Sequence, residues 1–407
     1  MNSKIVKITN INSIISWSES QNQVVEINDS DILIKDGLIS KISNNIEYNH
    51  NVIDAKQSIL TPGFVDSHTH PIFINNRALE FQQRCSGKTY EQIANDGGGI
   101  LSSIKDLRNA DEDSIFNYCF KNINKFLANG TTTIEAKSGY GLTLEDEIKS
   151  LKIIKKMNEK SDLDIIPTFM GAHAFPPEFS DNKDAYVDII CNEMIPQVAE
   201  QNLAEFCDVF CEEGYFSIQQ TKKIFESALE FNLKLKIHAD EFVDNGAASL
   251  AVDMGAISAD HLMVTGDKGK NDLANSNTIA TLLPGTTFFL GKTKYASGRE
   301  LIDKGCNIAI ATDFNAGSCT LQSMPDIMFL SMLYCGLDLQ EAFKGSTYNG
   351  SRAIDKKSEK GLIQEGYDAD ILFWDISSID EIPYWFGGSS SRISKIMKNG
   401  KMLNYLI

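Results

Sequence analysis

The chain has 407 residues, 42% hydrophobic and 9% aromatic, which excludes a disordered polymer and allows one large domain with a smaller one, or two of ordinary size. A formal net charge of −17 excludes an extended nucleic-acid surface, which needs clustered Lys and Arg, while leaving room for a local cationic pocket. Polar residues interrupt the first twenty, so neither a leader peptide nor a membrane span is expected, and eight scattered cysteines without a CxxC pair predict reduced thiols in the cytoplasm.

In chain order, residues 1–58 hold short alternating runs: SKIVKIT, VVEIND, DILIKDGLISKIS and NVIDAKQS. Asp36-Gly37 predicts a tight hairpin turn between DILIK and LISKI. The last fifty residues repeat the texture, with Asn399-Gly400 as a second hairpin signal. The two ends therefore predict one small β-sandwich domain built from residues 1–58 and 360–407, with two separate β-rich extensions as the plainer alternative.

Between them the pattern changes. A largely apolar run from Ile59 to Val65 leads into DSHTHP, and further runs follow in TTTIEAKSG, DIIPTFMGAHAF, FCDVFCEEG, LKLKIHADEF, GAISADHL, TIATLLPGTTFFL and NIAIATDF. Helical spacing lies between them, as in Leu144, Ile148, Leu151 and Ile154, and again in Ile224, Phe225, Ala228 and Leu229. Eight strands alternating with helices predict a (β/α)8 TIM barrel over residues 59–359. A doubly wound open sheet is the alternative, with its site at a switch point between strands.

Five of the six histidines fall in these segments. A lone histidine is ordinarily a core or surface residue, and His50, in EYNHNV, reads as one facing solvent. His68 and His70, by contrast, sit two apart at a strand end, where extended backbone points both side chains the same way. His173, His238, His261 and Asp313 close the third, fifth, sixth and eighth apolar runs, so a parallel barrel would bring all six groups to one rim. Imidazoles with a carboxylate and one open position suit Zn²⁺ or Fe²⁺. Glu241, three residues past His238, is placed to face a ligand rather than the metal. These groups resemble those of amidohydrolases, whose two-metal members carry a carbamylated bridging lysine at the end of strand four; Lys137 ends the second run instead, so the resemblance implies a single divalent ion, and Cys211 or Glu212 would have to bridge a second. Gly97-Gly98-Gly99 is a weak signal for a loop that covers the substrate.

The HxH pair, the strand-five and strand-six histidines and the strand-eight aspartate are similar to the amidohydrolase superfamily of metal-dependent hydrolases, which place a terminal β sandwich beside a (β/α)8 barrel. Within it, EAKSGYGL, HADEF, LLPGTTFFLG and TDFNAGS resemble the imidazolonepropionase family. That resemblance implies hydrolysis of the lactam C–N bond of 4-imidazolone-5-propanoate to N-formimidoyl-L-glutamate in histidine breakdown. It implies His68, His70, His238 and Asp313 as metal ligands, and Arg77, Tyr140, His173, Glu241, Asn315, Gly317 and Ser318 as substrate contacts. His261 would be a catalytic partner, with Asp313 and Glu241 both open as the working base. Ala316 stands where relatives often carry Pro, which predicts a less rigid backbone at Gly317 and Ser318. Arg77 and Tyr140 have plain readings as a surface residue and a loop packing residue; as a pair they suit a substrate carboxylate. The competing readings are a mononuclear deaminase of a nitrogen heterocycle and a scaffold protein that has lost its metal. The expected partner is a small carboxylate-bearing substrate, with no nucleic acid and no membrane, and a homodimer is left open.

Overall fold

The computed structural model describes residues 4–88, 92–93 and 97–403. Both hairpins form as their turn residues demand. Asp31–Lys35 pairs antiparallel with Leu38–Ser43 through Asp36 (φ 53°) and Gly37 (φ 91°). Ile393–Lys398 pairs with Lys401–Leu403 through Asn399 (φ 48°) and Gly400 (φ 69°). Left-handed backbone at both central residues is what Asp-Gly and Asn-Gly tolerate.

The termini interleave. A four-stranded sheet runs Leu38–Ser43, Asp31–Lys35, Ile5–Thr9, Val52–Asp54. A six-stranded sheet runs Lys401–Leu403, Ile393–Lys398, Ile371–Trp374, Ile59–Pro62, Ser13–Ser18, Gln23–Asn28. Ile8, Ile14, Ile32, Leu60, Ile371 and Phe373 pack into one core between them. The expected barrel began at residue 59, but Ile59–Pro62 belongs to the terminal sheet, pairing with Ile371–Trp374 and Ser13–Ser18. The chain changes sheets at Gly63, where a Cβ would lie 2.2 Å from Thr132 Oγ1, so only glycine lets the two strands approach.

The third sheet is the barrel. Phe64–Asp66, Thr131–Lys137, Asp164–Ala172, Phe206–Cys211, Lys234–Ala239, Ser258–His261, Ile279–Leu282 and Ile308–Ile310 pair in parallel in chain order. An open doubly wound sheet would show a reversal in that order, and there is none. The first and last strands meet beyond their ends: Thr69 bridges Phe314, the Asp313 N–H donates to the His68 carbonyl at 3.0 Å and the His70 N–H to the Phe314 carbonyl at 2.8 Å. Closure thereby sets the HxH pair beside Asp313.

The covering helices follow their apolar spacing. Leu144–Lys160, capped by Thr143, buries Ile148, Leu151 and Ile154. Ile218–Glu230 begins with a Ser217/Gln220 capping box and buries Thr221, Ile224, Phe225 and Ala228. Leu229, counted on that face from the sequence, is 48% exposed, so the inward stripe runs through Ala228 instead. The run TIATLLPGTTFFL is not all strand: pairing stops at Leu282 and Pro284 opens a helix, Pro284–Phe289, that carries Thr286 to the rim.

Candidate active site

His68, His70, His173, His238, His261 and Asp313 converge at the C-terminal rim of the barrel, all of them buried or nearly so. His68 directs Nδ1 at Asp260 Oδ2 (2.7 Å) and His238 directs Nδ1 at Asp208 Oδ1 (3.0 Å). A carboxylate at Nδ1 fixes the proton there and leaves Nε2 a bare lone pair. Those two Nε2 atoms each lie 3.2 Å from His70 Nε2. Asp313 Oδ1 stands 3.6 Å from His68 Nε2 and 3.5 Å from His70 Nε2. Four donors round a tetrahedral zinc at ~2.0–2.1 Å would be about 3.3–3.4 Å apart, so this spacing fits a divalent ion. Burial, helped by Lys137 and the neighbouring imidazoles, holds the His68 ring well below its ordinary pKa and keeps it neutral, as a ligand must be. His70 Nδ1 has no hydrogen-bond partner among the described residues.

The remaining groups surround this socket. Asp313 sits at φ 53° and takes a hydrogen bond from Thr286 at 2.5 Å on Oδ2, which aims Oδ1 at the imidazoles. His261 is held at φ 77°, an uncommon and strained conformation for a bulky residue. Its Nδ1 lies 3.7 Å from Glu241 Oε2, and its ring also brings a nitrogen within 4.8 Å of the His68 and His238 donors. Burial, and then the nearby Asp313, push the Glu241 carboxyl up to about 8. His173 receives the opposite treatment: burial and His238 lower it to about 3, and its Nδ1 meets the Gly139 carbonyl at 2.9 Å, leaving a neutral acceptor nitrogen. Its ring stacks on His70 at 4.9 Å, and Tyr140 lies 5.3 Å from it.

One cavity of about 650 Å³ joins these groups to Arg77, Tyr140, Asn315 and Ser318. Arg77 caps the helix Ala78–Cys85, with Nε 3.4 Å from Glu80 Oε2. Its guanidinium lies close against Gly317: a Cβ there would fall 1.5 Å from Arg77 Nη2. The loop that carries Gly317 is pinned despite Ala316 replacing Pro. Asn315 Oδ1 accepts the Gly317 and Ser318 N–H groups at 2.8 and 2.7 Å, and the Arg77 N–H donates to the Ala316 carbonyl at 3.2 Å. A side-chain amide supplies the turn that a ring would have preset.

Other sequence readings resolve by contact. Lys137 is buried between Asp208 (2.6 Å) and Glu135 (2.5 Å), which favour its charged form against the pull of burial. Glu212 takes N–H groups of Glu213, Phe242 and Val243, so both its oxygens are occupied by backbone. Gly98 and Gly99 are tied to Ile93 and Glu80, and Gly99 caps the helix Ile100–Asn109, whose Ile100 lines the cavity. Sequence reasoning missed Asp208, Asp260, Thr286, Arg84 and Lys292. Asp208 carried a signal, a lone carboxylate inside the otherwise apolar strand Phe206–Cys211, and Asp260 directly precedes His261; the others sit on loops and helices whose approach to the rim only the fold reveals.

Residues 59–403 match the amidohydrolase family. An imidazolonepropionase from Alkaliphilus metalliredigens is 41% identical over 92% of this chain and 88% of its own length. One from Thermoanaerobacter pseudethanolicus is 44% identical over 89% of this chain and 88% of its own. Among solved structures, a guanine deaminase from C. acetobutylicum superposes with a TM-score of 0.73 at 17% identity, covering 99% of this chain and 100% of that one. An adenosine deaminase from Xanthomonas campestris with bound zinc gives 0.74 at 14%, over 98% and 92%; both likenesses show the fold alone. The chain belongs to the imidazolonepropionase family of the amidohydrolases.

Proposed function

We propose that this enzyme hydrolyses the lactam C–N bond of 4-imidazolone-5-propanoate to N-formimidoyl-L-glutamate, using one divalent ion, Zn²⁺ or Fe²⁺, held by His68, His70, His238 and Asp313. The observation that carries the reading is a single cavity with a histidine–aspartate socket at one place and Arg77 at another, suited to a small ring with an anionic tail. When bound, such an ion polarises a carbonyl and makes a coordinated water acidic enough to react near neutral pH. The rest is the work of side chains.

Asp313, fixed by Thr286, takes the proton of the attacking water. His261, neutral and strained towards the socket, donates to the lactam oxygen as charge develops there. Glu241, protonated near neutrality by its raised pKa, delivers a proton to the departing ring nitrogen. His173 accepts a ring N–H, and Arg77 with Tyr140 holds the tail carboxylate so that the ring is seated before reaction. Asn315, Gly317 and Ser318 form the floor on which Arg77 rests. The eight cysteines are all unpaired, in keeping with a cytoplasmic setting.

The test is an ultraviolet assay of 4-imidazolone-5-propanoate loss with parallel metal and ammonia analysis. Turnover should rise with metal content to about one ion per chain and release no ammonia, since opening a lactam leaves every nitrogen on the product. Stoichiometric ammonia would replace this reading with the deaminase. His261→Ala should lose about 10²–10³-fold in kcat with its metal retained, and near-normal kcat would remove its assigned role.

A further inference from the structure

Arg84 lies in the helix Ala78–Cys85 that Arg77 caps, two turns on. It lines the same cavity. The two guanidiniums meet one residue: Arg77 lies against the Gly317 Cα, while Arg84 Nη1 donates to the Gly317 carbonyl at 3.3 Å. Arg84 also lies over Phe81 (5.9 Å) and Phe289 (5.6 Å), apolar faces that restrict it without neutralising it. Its Nη2 is buried with no hydrogen-bond partner among the described residues.

The charges of the two arginines are not equally answered. Glu80 stands 3.4 Å from Arg77 Nε, with its other oxygen taking the Gly99 N–H at 3.0 Å. Among the described residues, no carboxylate lies within ion-pair distance of Arg84, and burial together with Arg77 works against its charged form. The third cation of the cavity, Lys292, sits over Phe242 at 4.7 Å and acts on Glu241 instead. A fixed anion entering beside Arg77 and Arg84 would meet a guanidinium with no ion pair among the described residues and two unfilled donors, Arg77 Nε and Arg84 Nη2, in a place where burying a carboxylate alone is costly.

The geometry points to Arg84 as a second specificity-determining contact for the tail carboxylate, meeting Gly317 as Arg77 does; this extends the ring-hydrolase reading above and rests on it. The plain competitor is a latch, in which Arg84 only ties its helix to the strand-eight loop. A latch would affect every substrate alike, whereas a charge partner affects only the anionic one.

The experiment compares 4-imidazolone-5-propanoate with its uncharged tail amide in wild type and Arg84→Met, which keeps an apolar stem against Phe81 and Phe289. KM for the acid should rise about 30-fold or more, the size expected when one partner of a desolvated charge pair is removed. Its kcat should change less, kcat/KM for the amide should stay within about twofold, and metal content should hold. Equal losses on acid and amide, or no loss on either, overturn the proposal. Should Arg84→Met fail to fold, Arg84→Gln, which can still donate to the Gly317 carbonyl, reads the same acid-to-amide ratio and is judged by the same outcomes. A wild type indifferent to the tail charge sinks the carboxylate reading itself and this proposal with it, whereas a discriminating wild type with an equally discriminating Arg84→Met sinks this proposal alone.

Discussion

Gly317 has no side chain because Arg77 fills the space where one would lie. The guanidinium can lie where it does only against a bare Cα, so the arginine proposed to hold the tail depends on a residue with no side chain. A methyl group at 1.5 Å from Nη2 leaves no room for adjustment short of moving the arginine or the loop. The loop resists, because Asn315 holds both the Gly317 and Ser318 N–H groups. Gly317→Ala should therefore swing Arg77 out of register with the tail and raise KM for the acid substrate, as Arg77→Ala itself should. Losing the charge partner in this way costs roughly 2–5 kcal/mol, or about 30-fold to several thousandfold in kcat/KM. Steady-state kinetics with parallel metal analysis check this: a Gly317→Ala enzyme with wild-type KM would mean that the guanidinium does not act from where it lies. The loss should fall on KM because the tail does not react.

At the scale of elements, the strands do two jobs, and the sequence shows one more readily than the other. The terminal sandwich and barrel were legible because hairpin signals at Asp36-Gly37 and Asn399-Gly400 and helical spacing in Leu144–Lys160 are local properties. The exchange of sheets at Gly63 was not, since Ile59–Pro62 and Phe64–Asp66 are equally apolar and only contact with Thr132 separates them. Likewise the histidines and Asp313 announced themselves, while the carboxylates behind them looked like interruptions of their strands. Phe206–Cys211 places Asp208 between His238 at 3.0 Å and Lys137 at 2.6 Å. Burial pulls the Asp208 carboxyl up, yet His238 and Lys137 together hold it well below the usual carboxylate range. Asp208→Asn keeps an acceptor for His238 but removes the charge that orients the ring and answers Lys137. Zinc affinity should fall about 10–100-fold, read by competition with a chromophoric chelator. An unchanged Kd would show that the strand, not the carboxylate, sets the angle of the imidazole.

The whole molecule inherits the electrostatics of a buried rim packed with titratable groups. Glu241 has an ordinary pKa of 4.5 and is pushed up to about 8, first by burial and then by Asp313. Asp66, beneath the site, is pushed from 3.8 to about 7 by burial, which outweighs its hydrogen bonds from Thr312. A carboxyl whose folded pKa is raised keeps its proton in the folded state after the unfolded chain has lost it. The stability it lends is complete below the unfolded pKa and is lost as pH rises through the folded value. The buried imidazoles act with the opposite sign. His173 is lowered from 6.5 to about 3, so the unfolded state binds more protons below about pH 6.5, and stability there rises with pH. Above that point the imidazoles no longer contribute, and the raised carboxyls remain, joined towards pH 8.5 by buried thiols such as Cys119 and Cys211, which burial pushes up from 9.0 to about 12. Metal-stripped protein should therefore lose thermal stability between about pH 7 and 8.5, and Glu241→Gln should flatten the decline. With zinc present the trend should weaken or reverse, because the bound ion favours deprotonated ligands and binds the folded state alone. Thermal unfolding at several pH values, with and without a chelator, reads both effects. A stripped protein as stable at pH 8.5 as at 7 would show that burial does not hold the Glu241 carboxyl up.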